Sequence, residues 1–209
     1  MVSITSFVLT ALVATVFVID SCSGLYHYNR NAWGASRAKR AASGLNQKAQ
    51  LIYLHPTQTD YCGNNNIDCK RTMRSIQQMH MENGCDDIGF NFAVGGCTGI
   101  FEGSGWTGMS PFARDDDVPS VHIGVIGKYS RGQNIPSNVQ QTVVSLVNEG
   151  ILSQKIDANA EYRCVYFNAN HSGFELQIPN RSEKVSCTKS VGQNCFNQQA
   201  AGYDYPMAQ

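Results

Sequence analysis

The residues from Ile4 to Ile19 are almost wholly apolar or small, and they decide how everything after them is read. Asp20 closes the stretch, and Ser21-Cys22-Ser23 sets small residues at the minus-three and minus-one positions of a cleavage site after Ser23. The run is short for a bilayer crossing and has no basic flank to hold it there. We therefore expect a signal peptide over residues 1–23, a secreted extracellular product and no membrane span, with a retained signal-anchor as the alternative.

Export changes the chemistry expected of the eight cysteines, because oxidising compartments favour disulfides where the cytosol favours thiols. Cleavage after Ser23 removes Cys22 and leaves Cys62, Cys69, Cys85, Cys97, Cys164, Cys187 and Cys195, an odd set. The leftover cysteine points to a free thiol or to an intermolecular bridge, and so to a disulfide-linked oligomer or a matrix partner. Asn170-His171-Ser172 and Asn180-Arg181-Ser182 have the form of N-glycosylation acceptors. Lys plus Arg and Asp plus Glu each number 16, so no overall field draws the chain toward nucleic acid or anionic lipid.

One globular domain fits this length. Residues 24–32 read as an N-terminal lead-in, 33–180 as the domain and 181–209 as a weakly ordered tail rich in Gln, Asn, Ser and Ala. Arg37-Ala38-Lys39-Arg40 has the form of a furin-type site ending at Arg40, although a solvated basic loop is the plainer reading.

Leu51-Ile52-Tyr53-Leu54 suits a buried strand, followed by a turn-rich stretch from Pro56. Asp68 can cap a helix from about Cys69 to Asn83, with Met73, Ile76 and Met79 or His80 at helical spacing and Gly84 as its stop. Ile88, Phe90, Phe92 and Val94 alternate as a strand, Gly95 to Gly99 turns, and Ile100-Phe101-Glu102 returns. Val121 to Ile126 is another strand. Ser137 with Gln140 has the capping-box pattern for a helix carrying Val139, Val143, Leu146 and Val147 on one face. The class is α/β, a mixed central β-sheet flanked by helices.

Trp33-Gly34-Ala35, Cys62 to Cys69, Arg74 to Met81, Asp87-Ile88-Gly89-Phe90-Asn91-Phe92, Gly95-Gly96, Phe101 to Trp106 and Val121 to Gly127 follow one another in the order and spacing of peptidoglycan recognition domains. The chain resembles that family, the type 2 N-acetylmuramoyl-L-alanine amidase fold, from about Trp33 to Asp157. The resemblance implies a groove for the muramyl-peptide of bacterial walls and a Cys62 to Cys69 disulfide. By family position, His55, Thr57, Phe90 and Trp106 are the ligand-binding candidates. Core packing is the bland reading of both aromatics.

Amidases of the family hold a zinc with two His and one Cys, helped by a Tyr hydroxyl; bound water loses a proton and attacks the amide carbonyl. Counting back from Cys62 puts the first His position on Leu54, with His55 as its non-ligating neighbour, and the Tyr position on Phe90. An ungapped placement puts the second His and the Cys on Val165 and Gly173. These residues supply no zinc donors and no hydroxyl, so we expect neither a metal nor another cofactor, and no amidase activity. A relocated site built from His55, Cys164 and His171 is the rescue alternative.

Two further departures are Cys85, where the family has Trp, and Cys97, where it has Asp; the two are candidates to pair with each other. Ser110-Pro111-Phe112 stands in place of Gly-Ala-His, and Asp115-Asp116-Asp117 adds negative charge near the expected groove rim. The functional expectation is a secreted, non-catalytic pattern-recognition protein of innate immunity that binds peptidoglycan or a muramyl-peptide. The alternative is an extracellular structural or matrix protein that reuses the fold.

Overall fold

The computed structural model describes Cys22 and residues 24–113, 118–129, 135–166, 175–177 and 184–189. Eleven elements follow in the order β1 (Tyr26–Tyr28), α1 (Arg30–Trp33), β2 (Ala49–Pro56), α2 (Asn66–Glu82), β3 (Phe92–Gly95), β4 (Gly99–Glu102), β5 (Ser120–Val125), α3 (Ser137–Leu152), β6 (Ile156–Tyr166), β7 (Glu175–Gln177) and β8 (Lys184–Lys189). The strands form one mixed sheet in the order β1-β4-β3-β5-β2-β6-β8-β7. Central β2 runs parallel to both β5 and β6, while β3 and β4 form an antiparallel hairpin. A central parallel strand must be covered on both faces. β2 and β5 are accordingly buried nearly throughout.

Each face has its own cover. On one, α3 presents Val139, Val143, Leu146 and Val147 at helical spacing to Ile52, Leu54, Val94, Val121, Ile123 and Val125. On the other, α1 and α2 bring Trp33, Met73 and Ile76 against Phe90, Ala93, Phe101 and Ile126. Burying side chains of this size contributes roughly 1.5–3 kcal/mol each, and their alternation along the strands sets which residue faces which helix.

Local chemistry moves several expected boundaries. The cap of α2 is Asn65, whose side chain accepts from the Ile67 amide at 2.9 Å, so the helix starts a turn before Cys69 and Asp68 falls in its first turn. Gly84 follows the helix at φ 96°, a left-handed conformation that glycine adopts without strain. The capping box at Ser137 does not form. Pro136 precedes α3 without a side-chain cap, and Gln140 donates instead to the Ile135 carbonyl at 2.6 Å. Residues 88–91 stay outside the strand that begins at Phe92; the Asn91 side chain donates to the Gly105 and Gly108 carbonyls and accepts from the His122 amide.

Residues 24–32 and 184–189 are more integrated than their composition suggests. The lead-in supplies β1, which pairs with β4, and α1, whose Arg30 bonds Asp87, the Gly103 carbonyl and the Ser36 carbonyl. Residues 184–189 of the expected tail form a strand parallel to β6. Arg40 is exposed and paired with Asp86 at 2.8 Å. The expected Cys62–Cys69 disulfide is formed. Cys97 bonds Cys22, not Cys85, and among the described residues no cysteine is free. The reading of a leftover thiol, and of an oligomer or matrix link through it, depended on discarding Cys22 and finds no support among the described residues. No helix among the described residues is long and apolar enough to cross a membrane. Residues 1–21, Ser23, Asp115-Asp116-Asp117, Asn170, His171, Gly173, Asn180 and Cys195 lie outside the described residues.

Candidate functional site

Alternation along β2 decides what can form a site. Ile52 and Leu54 belong to the α3-side core, so Tyr53 and His55 turn to the α2 side. His55 is level with Gly124 of β5. The missing side chain at Gly124 gives Phe90 its place, since a Cβ there would lie 2.7 Å from the Phe90 ring. His55 and Phe90 ring centroids are consequently 5.6 Å apart. Leu54, the expected first zinc position, is fully buried on the opposite face and cannot share a site with Phe90. Leu54 and Phe90 therefore do not share a face of the sheet, whereas His55 and Phe90 do.

That imidazole is committed. His55 Nε2 lies 3.0 Å from His122 Nδ1, and His122 Nε2 lies 3.1 Å from Ser120 Oγ. One set of tautomers serves the whole line: Ser120 donates to His122, and His122 donates to His55. The two rings stack at 5.1 Å, with Tyr53 over His122 at 4.7 Å. His80 of α2 joins from the side, its Nδ1 accepting from the Gly89 amide at 2.8 Å. Phe112 packs 5.6 Å from His55, 4.9 Å from His80 and 5.4 Å from Phe90. Burial pushes the His55 pKa down to about 3, with the Val165 backbone working against the shift. Burial, then the charge His55 would carry, pushes His80 to about 3 and His122 well below its usual value. All three rings are neutral near pH 7.

A zinc ion of the family type does not fit this donor set. Leu54 pairs with Cys164 in the parallel β2–β6 register, so Val165 stands level with His55, where an isopropyl group offers no lone pair. Phe90 brings a phenyl ring without a hydroxyl. Cys164 belongs to the α3-side core and is disulfide-bonded, which removes it from the relocated site that would use His55, Cys164 and His171. Among the described residues no three His, Cys, Asp or Glu side chains converge on a point.

The four expected ligand-binding residues are not brought to one surface. His55, Thr57 and Phe90 are buried; Thr57 Oγ1 accepts from the Gly127 amide at 3.1 Å and lies 2.8 Å from Thr59 Oγ1. Trp106 is on the α3 side, 4.5 Å from Phe92, with its indole N–H donating to Glu149 at 3.2 Å. For Trp106, packing is the better description.

The structure adds residues that pattern reading passed over. Phe112 covers the histidine line; the signal for it was Gly89, because a Cβ there would fall 2.1 Å from the Phe112 ring. Beside it a cleft of about 400 Å³ is lined by Arg40, Ser43, Asp86, Ser104, Met109 and Ser110, among others. Ser104 Oγ is buried at that cleft without a hydrogen-bond partner among the described residues, and nothing in the sequence announced it.

Comparison with known proteins places this geometry in context. No family model matches the chain. Peptidoglycan-recognition protein SC1a of Drosophila melanogaster is 32% identical over 157 residues, covering 73% of this chain and 82% of that one. Peptidoglycan-recognition protein 2 of Holotrichia diomphalia is 35% identical over 136 residues, covering 63% and 70%. A solved tyrosine-to-phenylalanine mutant of Drosophila PGRP-LB, in complex with tracheal cytotoxin, superposes with a TM-score of 0.59 at 27% identity, over 67% of this chain and 81% of that one.

Proposed function

The chain belongs to the peptidoglycan-recognition protein family, and on that footing we propose that it is a secreted receptor that binds bacterial peptidoglycan, or a muramyl-peptide from it, without hydrolysing it. The observation that carries the binding half is the relationship itself: a relative of the same fold holds tracheal cytotoxin although one of its tyrosines is replaced by phenylalanine. A phenyl ring is therefore compatible with holding such a ligand.

The non-catalytic half rests on the site. Hydrolysis by the family's route needs a metal-bound water and a donor for the developing oxyanion. Val165 and Phe90 provide neither, and the three imidazoles beside Phe90 and Phe112 are buried, with His55 tied to His122. Disulfides at Cys22–Cys97 and Cys62–Cys69 suit an oxidising, extracellular setting and agree with the apolar leader. Asn170 and Asn180 are the candidate glycosylation sites of such a product.

We place the ligand in the cleft between residues 40–43 and 104–113. Its polar walls, with Asp86, Ser43 and Ser110, suit the amide and hydroxyl groups of a sugar-peptide, and Ser104 Oγ there lacks a partner. Titration of the purified protein with a soluble muramyl-peptide in a calorimeter, with fragment release followed in parallel, tests both halves.

A further inference from the structure

The most informative bond outside the candidate site is Cys22–Cys97, which joins residues 75 apart in sequence with a Cα separation of 5.0 Å. Cys97 lies in the turn between β3 and β4. Its amide donates to Asn66 Oδ1 at 3.0 Å and its carbonyl accepts from Asn66 Nδ2 at 3.2 Å, so the first turn of α2 holds it from behind. The neighbouring Thr98 hydroxyl donates to the Gly24 carbonyl, and the Tyr26 amide donates to the Thr98 carbonyl at 3.1 Å. Tyr26 then enters the sheet level with Gly99. From Cys22 to Tyr28 the chain is thus fastened to one hairpin by a covalent bond, hydrogen bonds and a strand ladder.

Cleavage after Ser23 would remove the first of these fastenings. It would also leave Cys97, only 8% exposed, as a buried thiol, and would turn eight cysteines into seven. Cys85 and Cys164 are themselves disulfide-bonded, so neither is available to Cys97. Between the end of the apolar run at Ile19 and Cys22, Ser21 is the one small residue able to occupy the last position of a leader.

We infer that the leader is cut at the Ser21–Cys22 bond, so that the mature chain begins with Cys22 and keeps it for the bridge to Cys97. Hydrolysis consumes one water and leaves a carboxylate on Ser21 and a free α-amino group on Cys22. The two thiols then lose two electrons and two protons to a disulfide-bearing oxidant of the secretory compartment, which is reduced to its dithiol. The inference rests on the secreted reading of the chain; it does not depend on what the domain binds. It assigns residues 22–32 to the domain as a pinned edge.

The test is the N-terminus of the full chain, expressed through the secretory route of an animal cell and purified from the medium. Edman sequencing and non-reduced peptide mass mapping should find Cys22 first and a Cys22–Cys97 linked peptide. Thiol titration in denaturant should find none free. A reagent for N-terminal 1,2-aminothiols, 2-cyanobenzothiazole, should label the protein after reduction and not before. Cys22→Ser should raise the thiol count to about one per chain, because Cys97 loses its partner. A mature chain beginning at Gly24, with a free thiol already present and unchanged by Cys22→Ser, overturns the inference, as does an uncleaved chain held in the cells. Peptidoglycan binding on the same sample separates this outcome from failure of the recognition reading: a chain that begins at Gly24 and still binds removes only the cleavage site.

Discussion

His55 and Phe90 face each other with ring centroids 5.6 Å apart on the α2 side of the sheet, while Leu54, one residue earlier on the same strand, is buried in the α3-side core. We propose this pair as the place where the family's chemistry would be carried out. Around it stand an isopropyl group at Val165 and the rings of Phe112, His80 and His122.

Phe112 occupies space that only glycine leaves open. Gly89→Ala would put a Cβ 2.1 Å from the Phe112 ring, so one of them must move. Urea unfolding should show a loss of about 1–3 kcal/mol, typical of overpacked cores. The double variant with Phe112→Leu should recover part of that loss. Equal destabilisation in the single and double variants would show that the contact is not the cause.

The three buried histidines make the protein acid-sensitive. In the unfolded chain each ring takes up a proton below about pH 6.5. In the folded protein His55 and His80 do so only near 3, and His122 is also depressed. Between those limits the unfolded state holds more protons, so stability falls on acidification and is fully present above about pH 6.5. Each ring contributes a slope approaching ~1.4 kcal/mol per pH unit. Urea midpoints measured from about pH 4 to pH 7 should climb with pH; a flat profile would mean that the rings are accessible to protons in the native state.

Phe90→Tyr adds a hydroxyl at the position that the family resemblance assigns to the amidase tyrosine. It should not create a hydrolase, because Val165 still offers no donor and His55 remains tied to His122. The hydroxyl enters a packed aromatic environment, and a stability loss of about 1–3 kcal/mol is expected unless it finds a partner. Release of peptide from muramic acid by this variant, followed chromatographically, would refute the account of the site.

Ser104 gives a sign that separates binding from structure. Its buried hydroxyl has no hydrogen-bond partner among the described residues, so Ser104→Ala should leave the melting temperature unchanged or slightly higher. If a muramyl-peptide supplies the missing partner, the same variant should bind it about 5-fold more weakly, roughly 1 kcal/mol. A drop in stability with unchanged affinity would place the ligand elsewhere.

Much of the fold was legible because it is written in periodicity. The stripe on α3 and the apolar run of β2 are one-dimensional signals, and the family motifs fixed their order. The candidate site was less legible. Leu54 and His55 differ by one position along a strand, and that single step exchanges the two faces of the sheet. Trp106 follows a family motif yet packs on the α3 side, which only the fold reveals. The cysteines were less legible for a different reason: a leader boundary read from residue size carries no information about Cys97, the partner of Cys22 in the structure, 75 residues away.

The most direct test of the central claim is co-sedimentation of the purified, oxidised protein with insoluble lysine-type and diaminopimelate-type peptidoglycan, with soluble fragments assayed in the supernatant. Binding without hydrolysis predicts protein in the pellet with at least one wall type, well above an albumin control, and no released peptide. Protein that stays in the supernatant with both walls, or peptide that appears there with time, would contradict it.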